Sequence, residues 1–156
     1  MKIIIILLIV IGAALLGGAV YFRAVPDDPA RWHVDPLTVD KPEAPNAALI
    51  RPEGGDSATA SYSLDPVELA EAIDEIALSE PRTQRIAGDP EELWMTYVQR
   101  SAVLGFPDYI SVKVVPVDGG ATWAAFSRSR FGSYDWGVNA KRLARWQEAL
   151  ATRLGG

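Results

Sequence analysis

The run from Ile3 to Phe22, IIIILLIVIGAALLGGAVYF, holds twenty residues without a charge. A helix of that length rises about 30 Å, the thickness of a bilayer's hydrocarbon layer, so the run predicts a membrane-spanning helix rather than a piece of a soluble core. A cleaved secretory signal is the alternative. Such signals have a shorter apolar stretch, about 7–15 residues, ending at a small-x-small site, which Gly17 and Ala19 supply. The run continues, however, through Val20, Tyr21 and Phe22 to Arg23, and aromatic residues followed by a cation suit the membrane–water interface. Lys2 is balanced by Arg23 and Arg31 across the span; the acidic Asp27 and Asp28 favour outward placement of the rest of the chain.

The remainder is acidic. The chain carries a formal charge of −5 and a pI near 4.9, with no basic stripe interleaved with aromatics, which argues against a nucleic-acid partner. It contains no cysteine, which excludes disulfides, thiolate metal sites and cysteine nucleophiles.

From Ala24 to Ser63 the chain carries Pro26, Pro29, Pro36, Pro42, Pro45 and Pro52, six of its eleven prolines, and shows neither helical nor alternating periodicity. Proline fixes φ and removes a donor, so this stretch is expected to be an extended spacer, locally packed where RWHV and AALI offer apolar side chains. Its His33, the only histidine, reads as a surface or packing residue, because a ligand or base needs a partner on the other ring nitrogen.

Asp65-Pro66-Val67-Glu68 is a helix start, with Asp as the cap and Pro at the first helical position. Val67, Ala70, Ile73 and Ala77 recur at helical spacing, widened by Leu69 and Ile76, and predict a helix to about Ser79, which Pro81 ends. Arg82 to Ala87 before the turn at 88–90, and Leu93 to Leu104, predict strands. Ile110, Val112 and Val114 alternate with polar residues, and TWAAFSRSR comes after Asp118-Gly119-Gly120; apolar runs on both sides of such a turn predict an antiparallel hairpin. Leu143, Trp146, Leu150 and Leu154 then form one stripe of a last helix, from Asn139 to about Arg153. The expected fold is α+β: an antiparallel sheet of about four strands, covered on one face by flanking helices in the order α-β-β-β-β-α, behind a transmembrane helix. The expected division is residues 1–23 as anchor or signal, 24–63 as spacer and 64–156 as the folded domain.

The stretch SRSRFGSYDWGVNAKR, residues 127–142, carries the candidate site. Arg128 and Arg130 leave one face of a strand, Ser127 and Ser129 the other; Asn139 is placed to cap the last helix, and Arg142 lies one turn in. Two readings stand side by side. Arg128, Arg130, Arg142 and the helix amides bind a carboxylate or phosphate, or Asp135 is itself the anion and clasps the hairpin to the helix through one of those arginines.

The segments GFPDYISVKVVPVDGG and SRSRFGSYDWGVNAKRLARW, with Pro81-Arg82-Thr83 upstream, resemble the domain of unknown function 1499 family over about Asp65 to Leu154. The matching elements are Phe106-Pro107-Asp108, Ser127 to Arg130, Gly132, Asp135, Gly137, Val138, Asn139 and Arg142. Tyr134 and Trp136 depart from the small polar and the aliphatic residue expected there. The resemblance implies a proteobacterial or plastid setting, frequently behind a signal or anchor, and implies no reaction, substrate or cofactor. The expected location is the bacterial inner membrane with the domain in the periplasm, or the periplasm itself after signal cleavage.

Two functions compete. One is a non-catalytic, membrane-tethered module of the cell envelope that binds a protein partner or plays a structural part; the other is a carboxylate-dependent envelope hydrolase or a small-anion binder using Arg128, Arg130 and Arg142. From residue 64 onward there is neither His nor Cys, so no His-ligated metal, cofactor or Ser-His-Asp triad is expected there, and only carboxylates such as Glu91, Glu92 and Asp108 remain for catalysis. Residues 65–108 are strongly acidic and those from Tyr109 onward basic, a split that steers a partner or is neutralised across the fold.

Overall fold

The computed structural model describes residues 1–155. In chain order the elements are α1 (Lys2–Ala24), the short helical turn α2 (Pro29–Trp32), β1 (Ala47–Ile50), α3 (Pro66–Ser79), β2 (Thr83–Asp89), β3 (Trp94–Arg100), β4 (Pro107–Val117), β5 (Gly120–Ser129) and α4 (Val138–Leu154). The strands form one antiparallel sheet in the order β1-β5-β4-β3-β2. The fold is α+β, with five strands rather than four.

Strand parity builds two faces. Met95 and Tyr97 on β3, Ile110, Val112 and Val114 on β4, and Ala121, Trp123 and Ala125 on β5 face the helices. There they meet Leu69, Ala70 and Ile73 of α3 and Leu143, Trp146 and Leu150 of α4. Each helix contributes the stripe that its 3.6-residue spacing dictates. Asp65 starts α3 by accepting from the Val67 amide at 2.8 Å, and Pro66 occupies the first turn, where its missing N–H costs nothing. The expected acid–base split is neutralised across this layer: Arg142, Arg145 and Arg153 of α4 pair with Asp108, Glu80 and Glu75.

The opposite face corrects the sequence reading. Residues 24–63, expected as an extended spacer packed locally at RWHV and AALI, pack at both places and go further, becoming part of the fold. The segment from Val25 to Asp35 straps across the second face of the sheet, where Trp32 is buried and joins Tyr109, Val98 and Ile86 in a separate apolar cluster. Its ring stacks on Tyr109 with centroids 3.8 Å apart and planes 7° from parallel. Further on, Ala47–Ile50 pairs with β5 as the fifth strand, burying Ala48, Leu49 and Ile50. A four-residue strand set among prolines has too few alternations to announce itself; only the waiting edge of β5 defines it. The strand expected at Leu93–Leu104 ends at Arg100, because residues 102–104 form a turn.

The strap begins where α1 ends. Ala24 is the last residue of α1, and Val25 is already buried. Phe22 packs on Phe106 of the β3–β4 loop, centroids 4.2 Å apart, and on Phe131 after β5 at 5.0 Å. Arg100 ties the junction down, donating to the carbonyls of Phe22 and Val25 and to both oxygens of Asp27.

Candidate functional site

The residues singled out in 127–142 fall into two settings, Arg128 and Arg130 on one face of the sheet and Arg142, Asn139 and Asp135 linked to one another on the other. Arg128 points to the strap face and is 7% exposed. It donates to Ser111 Oγ at 3.0 Å, to the Phe126 carbonyl at 3.1 Å and to the Trp32 carbonyl. No carboxylate faces it among the described residues, and burial pushes its pKa down to about 10, with the Tyr109 phenol opposing. It stays charged at neutral pH, held by hydroxyl and carbonyl oxygens and by the Trp32 ring 5.5 Å away. Arg130 lies on the same face and donates to the Pro26 carbonyl at 2.7 Å and to Tyr109 Oη at 3.2 Å.

Arg142 is on the other side of the sheet. Its Nη2 donates to Asp108 at 2.8 Å, its Nη1 to Ser127 and Asn139, and its Nε to Gln99. Asn139, fully buried, accepts from Ser127 at 2.6 Å and turns its amide toward Asp135, Ser129 and the Asn46 carbonyl. It therefore ties α4 to β5 and to the residue before β1, and does not cap α4 as expected.

The cap is Asp135. Gly137 takes a left-handed φ of 72°, and Asp135 accepts from the Gly137 amide at 2.8 Å and the Asn139 amide at 2.9 Å. The expected Asp135–arginine clasp is absent. A carboxylate satisfied by two backbone amides and one side-chain amide needs no guanidinium. Burial raises the Asp135 pKa, but hydrogen bonds from the Asn139 backbone and side chain and from Gly137 outweigh it, leaving the carboxyl below its ordinary value.

The carboxylates available for catalysis do not converge. Glu91 and Glu92 sit exposed in the β2–β3 turn, whereas Asp108 faces Gln99 near the far end of β3, roughly 20 Å along the strand. Asp108 is also committed to Arg142. Among the described residues no group of three His, Asp or Glu side chains is placed to hold a metal ion. His33 stacks on Trp94 at 3.9 Å and pairs Nδ1 with Thr96 Oγ1 at 2.8 Å. Burial lowers its pKa, with Glu92 opposing. It is a packing residue.

Sequence reasoning missed the end of the molecule where α1 joins it. Three cavities open there. One of about 450 Å³ is lined by Phe106, Phe131, Tyr134, Trp136 and Val138 above Asp108 and Asp135. A second of about 450 Å³ lies beside Glu80, Gln99, Arg142 and Arg145. A third of about 340 Å³ runs between Arg23, Arg82, Gln84, Arg100 and Ser101. Tyr134 and Trp136 meet edge to face, and Trp136 is 78% exposed with a left-handed φ of 58°. Arg82 shares that strained backbone, also at φ 58°. The aromatic residues at 134 and 136, where the resemblance had small and aliphatic ones, were the available signal.

These features define a class, an α+β protein with an open five-stranded antiparallel sheet, helices on one face, and an N-terminal helix long and apolar enough to cross a membrane. The chain matches the family model described as "Protein of unknown function (DUF1499)" over residues 32–150, and it belongs to that family. The match starts at Trp32, far upstream of Asp65, and so takes in the strap residue that stacks on Tyr109. No curated protein matches the chain.

Proposed function

We propose that this protein is a membrane-tethered module of the bacterial cell envelope, with its domain on the periplasmic side, that acts by binding or by structural support rather than by catalysis. The observation that carries the reading is the way α1 ends. Its apolar window has no residue buried against the rest of the chain, so nothing in the fold shields it from water. Its last turn is nevertheless fixed to the domain through Phe22, Phe106 and Phe131. A helix that exposes its length and docks only its end suits a lipid-embedded anchor carrying a domain at the bilayer surface. The arginines of the 127–142 stretch support a structural role, since Arg128, Arg130 and Arg142 are all engaged by groups of the fold.

Alkaline carbonate extraction of membranes tests the tether. Full-length protein stays in the pellet on this reading; a soluble form beginning near Val20 would show a cleaved signal instead. Protease added to intact spheroplasts tests the side, and digests the domain only if it is periplasmic.

A further inference from the structure

The cavity beside the end of α1 differs from the others in its charge. Arg23, Arg82 and Arg100 all line it, and no carboxylate does. Arg100 is neutralised from the strap side by both oxygens of Asp27, each at 2.8 Å. Arg23 and Arg82 form no ion pair among the described residues. Arg23 spends its donors on the carbonyls of Ala19, Ala102 and Val103, and Arg82 gives only Nε, to the Arg100 carbonyl at 2.9 Å. The nearby Glu80 is held by Gln99, Arg145 and Trp146. Two positive charges thus face a space of about 340 Å³ without a counter-ion from the protein.

Two backbone features build this space. Arg82 is held at φ 58°, a left-handed conformation that strains a side-chain-bearing residue and that the surrounding fold must enforce. Gly105 is at φ 77°, and a Cβ there would lie 2.5 Å from Arg23 Cγ, so the glycine lets the Arg23 side chain lie along the β3–β4 loop. Height then selects the ligand. Arg23 is the first charged residue after Lys2, at the end of the apolar span, and this is the level at which a bilayer presents its phosphates. Exposed Val103, Tyr134 and Trp136 project from the two loops on which Phe22 packs, side chains suited to the same interfacial layer.

We infer that the Arg23–Arg82 cavity binds the headgroup phosphate of an anionic phospholipid from the leaflet in which α1 ends. The inference rests on the membrane-tethered reading. It names a ligand site distinct from Arg128, Arg130 and Arg142, whose guanidiniums the fold itself uses.

The full chain in nanodiscs of phosphatidylcholine, with and without phosphatidylglycerol, provides the test, read by native mass spectrometry of retained lipid and by thermal unfolding. Wild type is expected to retain phosphatidylglycerol over phosphatidylcholine by roughly five- to thirtyfold, the factor for one or two arginines at a lipid surface, and to melt higher when it is present. Arg82→Gly relieves the left-handed strain, so it is expected to melt at or above wild type in pure phosphatidylcholine while losing most of the preference; Arg82→Lys keeps it in part. Equal retention of the two lipids by wild type, or an undiminished preference in Arg82→Gly, overturns the inference. So does inorganic phosphate giving the same thermal shift in pure phosphatidylcholine discs, which would make the site a free-anion site. A chain that fails to stay in membranes on carbonate extraction defeats the tether itself, whereas a membrane-held chain without lipid preference defeats only this site.

Discussion

Arg142 on α4 and Asp108 on β4 meet at 2.8 Å with the arginine side chain 3% exposed and the aspartate 14% exposed. The pair fixes the start of the last helix over the sheet, and Ser127, Asn139 and Gln99 take three more of the guanidinium's five donors. Breaking one side of such a buried pair strands the other charge. Asp108→Asn is therefore expected to lower the unfolding free energy by about 3 kcal/mol, the lower end for buried pairs because Arg142 keeps its other partners. Denaturant unfolding of the full chain in detergent measures it. A loss under about 1 kcal/mol would mean that solvent already screens the pair.

The strap is expected to be part of the folding unit. Trp32→Ala removes a buried ring stacked on Tyr109 and should cost about 3–5 kcal/mol. A chain beginning at residue 25 should unfold in one cooperative transition. One beginning at residue 61 lacks both Trp32 and β1, leaves the second sheet face bare, and should melt broadly. Cooperative melting of the shorter chain would show the strap to be ornamental.

Asp135 caps a helix and pairs with no arginine, so its removal should be mild. Asp135→Ala is expected to cost about 1–2 kcal/mol near neutral pH, the range for a lost N-terminal cap, and Asp135→Asn less. Because the folded state holds this carboxyl below its ordinary value, its stabilisation is complete above the unfolded value of about 4 and fades as pH falls through the lower folded one. The gap between wild type and Asp135→Ala should close in that acidic window. A gap that persists unchanged below it would point to packing instead.

His33 titrates with the same sign for a different reason. Burial lowers its pKa, against the pull of Glu92, so the neutral ring is the one the folded state prefers. Its contribution is complete above about pH 6.5 and lost as pH drops through the folded value. The ring is part exposed, so the slope is small. His33→Gln should flatten the wild-type dependence of melting temperature between neutral and mildly acidic pH; an identical slope would assign the dependence to other groups.

The features legible in the sequence were those that repeat. The stripes of α3 and α4 and the Asp118-Gly119 hairpin follow from periodicity and turn chemistry, and they stand where expected. RWHV and AALI showed as places of local packing but not as a strap and a strand, because they are isolated apolar islands whose partners, Tyr109 and the β5 edge, lie far away in sequence. The candidate cluster was half legible for a related reason. Parity correctly placed Arg128 and Arg130 on one face and Ser127 on the other, but which carboxylate meets which arginine depends on the stacking of α4 over β4. That brought Asp108, and not Asp135, to Arg142. The Arg23–Arg82 cavity joins residues from α1 and from β2's approach, a proximity only the tertiary fold creates.

The missing leash has a geometric consequence. Had residues 24–63 been an extended spacer, the domain would have swept a hemisphere on the order of 100 Å in radius above its anchor. With Val25 buried directly after Ala24 and Phe22 wedged against Phe106 and Phe131, that radius collapses to the size of the domain itself. With α1 in a bilayer, the protein meets its surroundings by lateral diffusion at one fixed height and in one orientation, so its encounters are confined to what lies in, or hugs, the same leaflet.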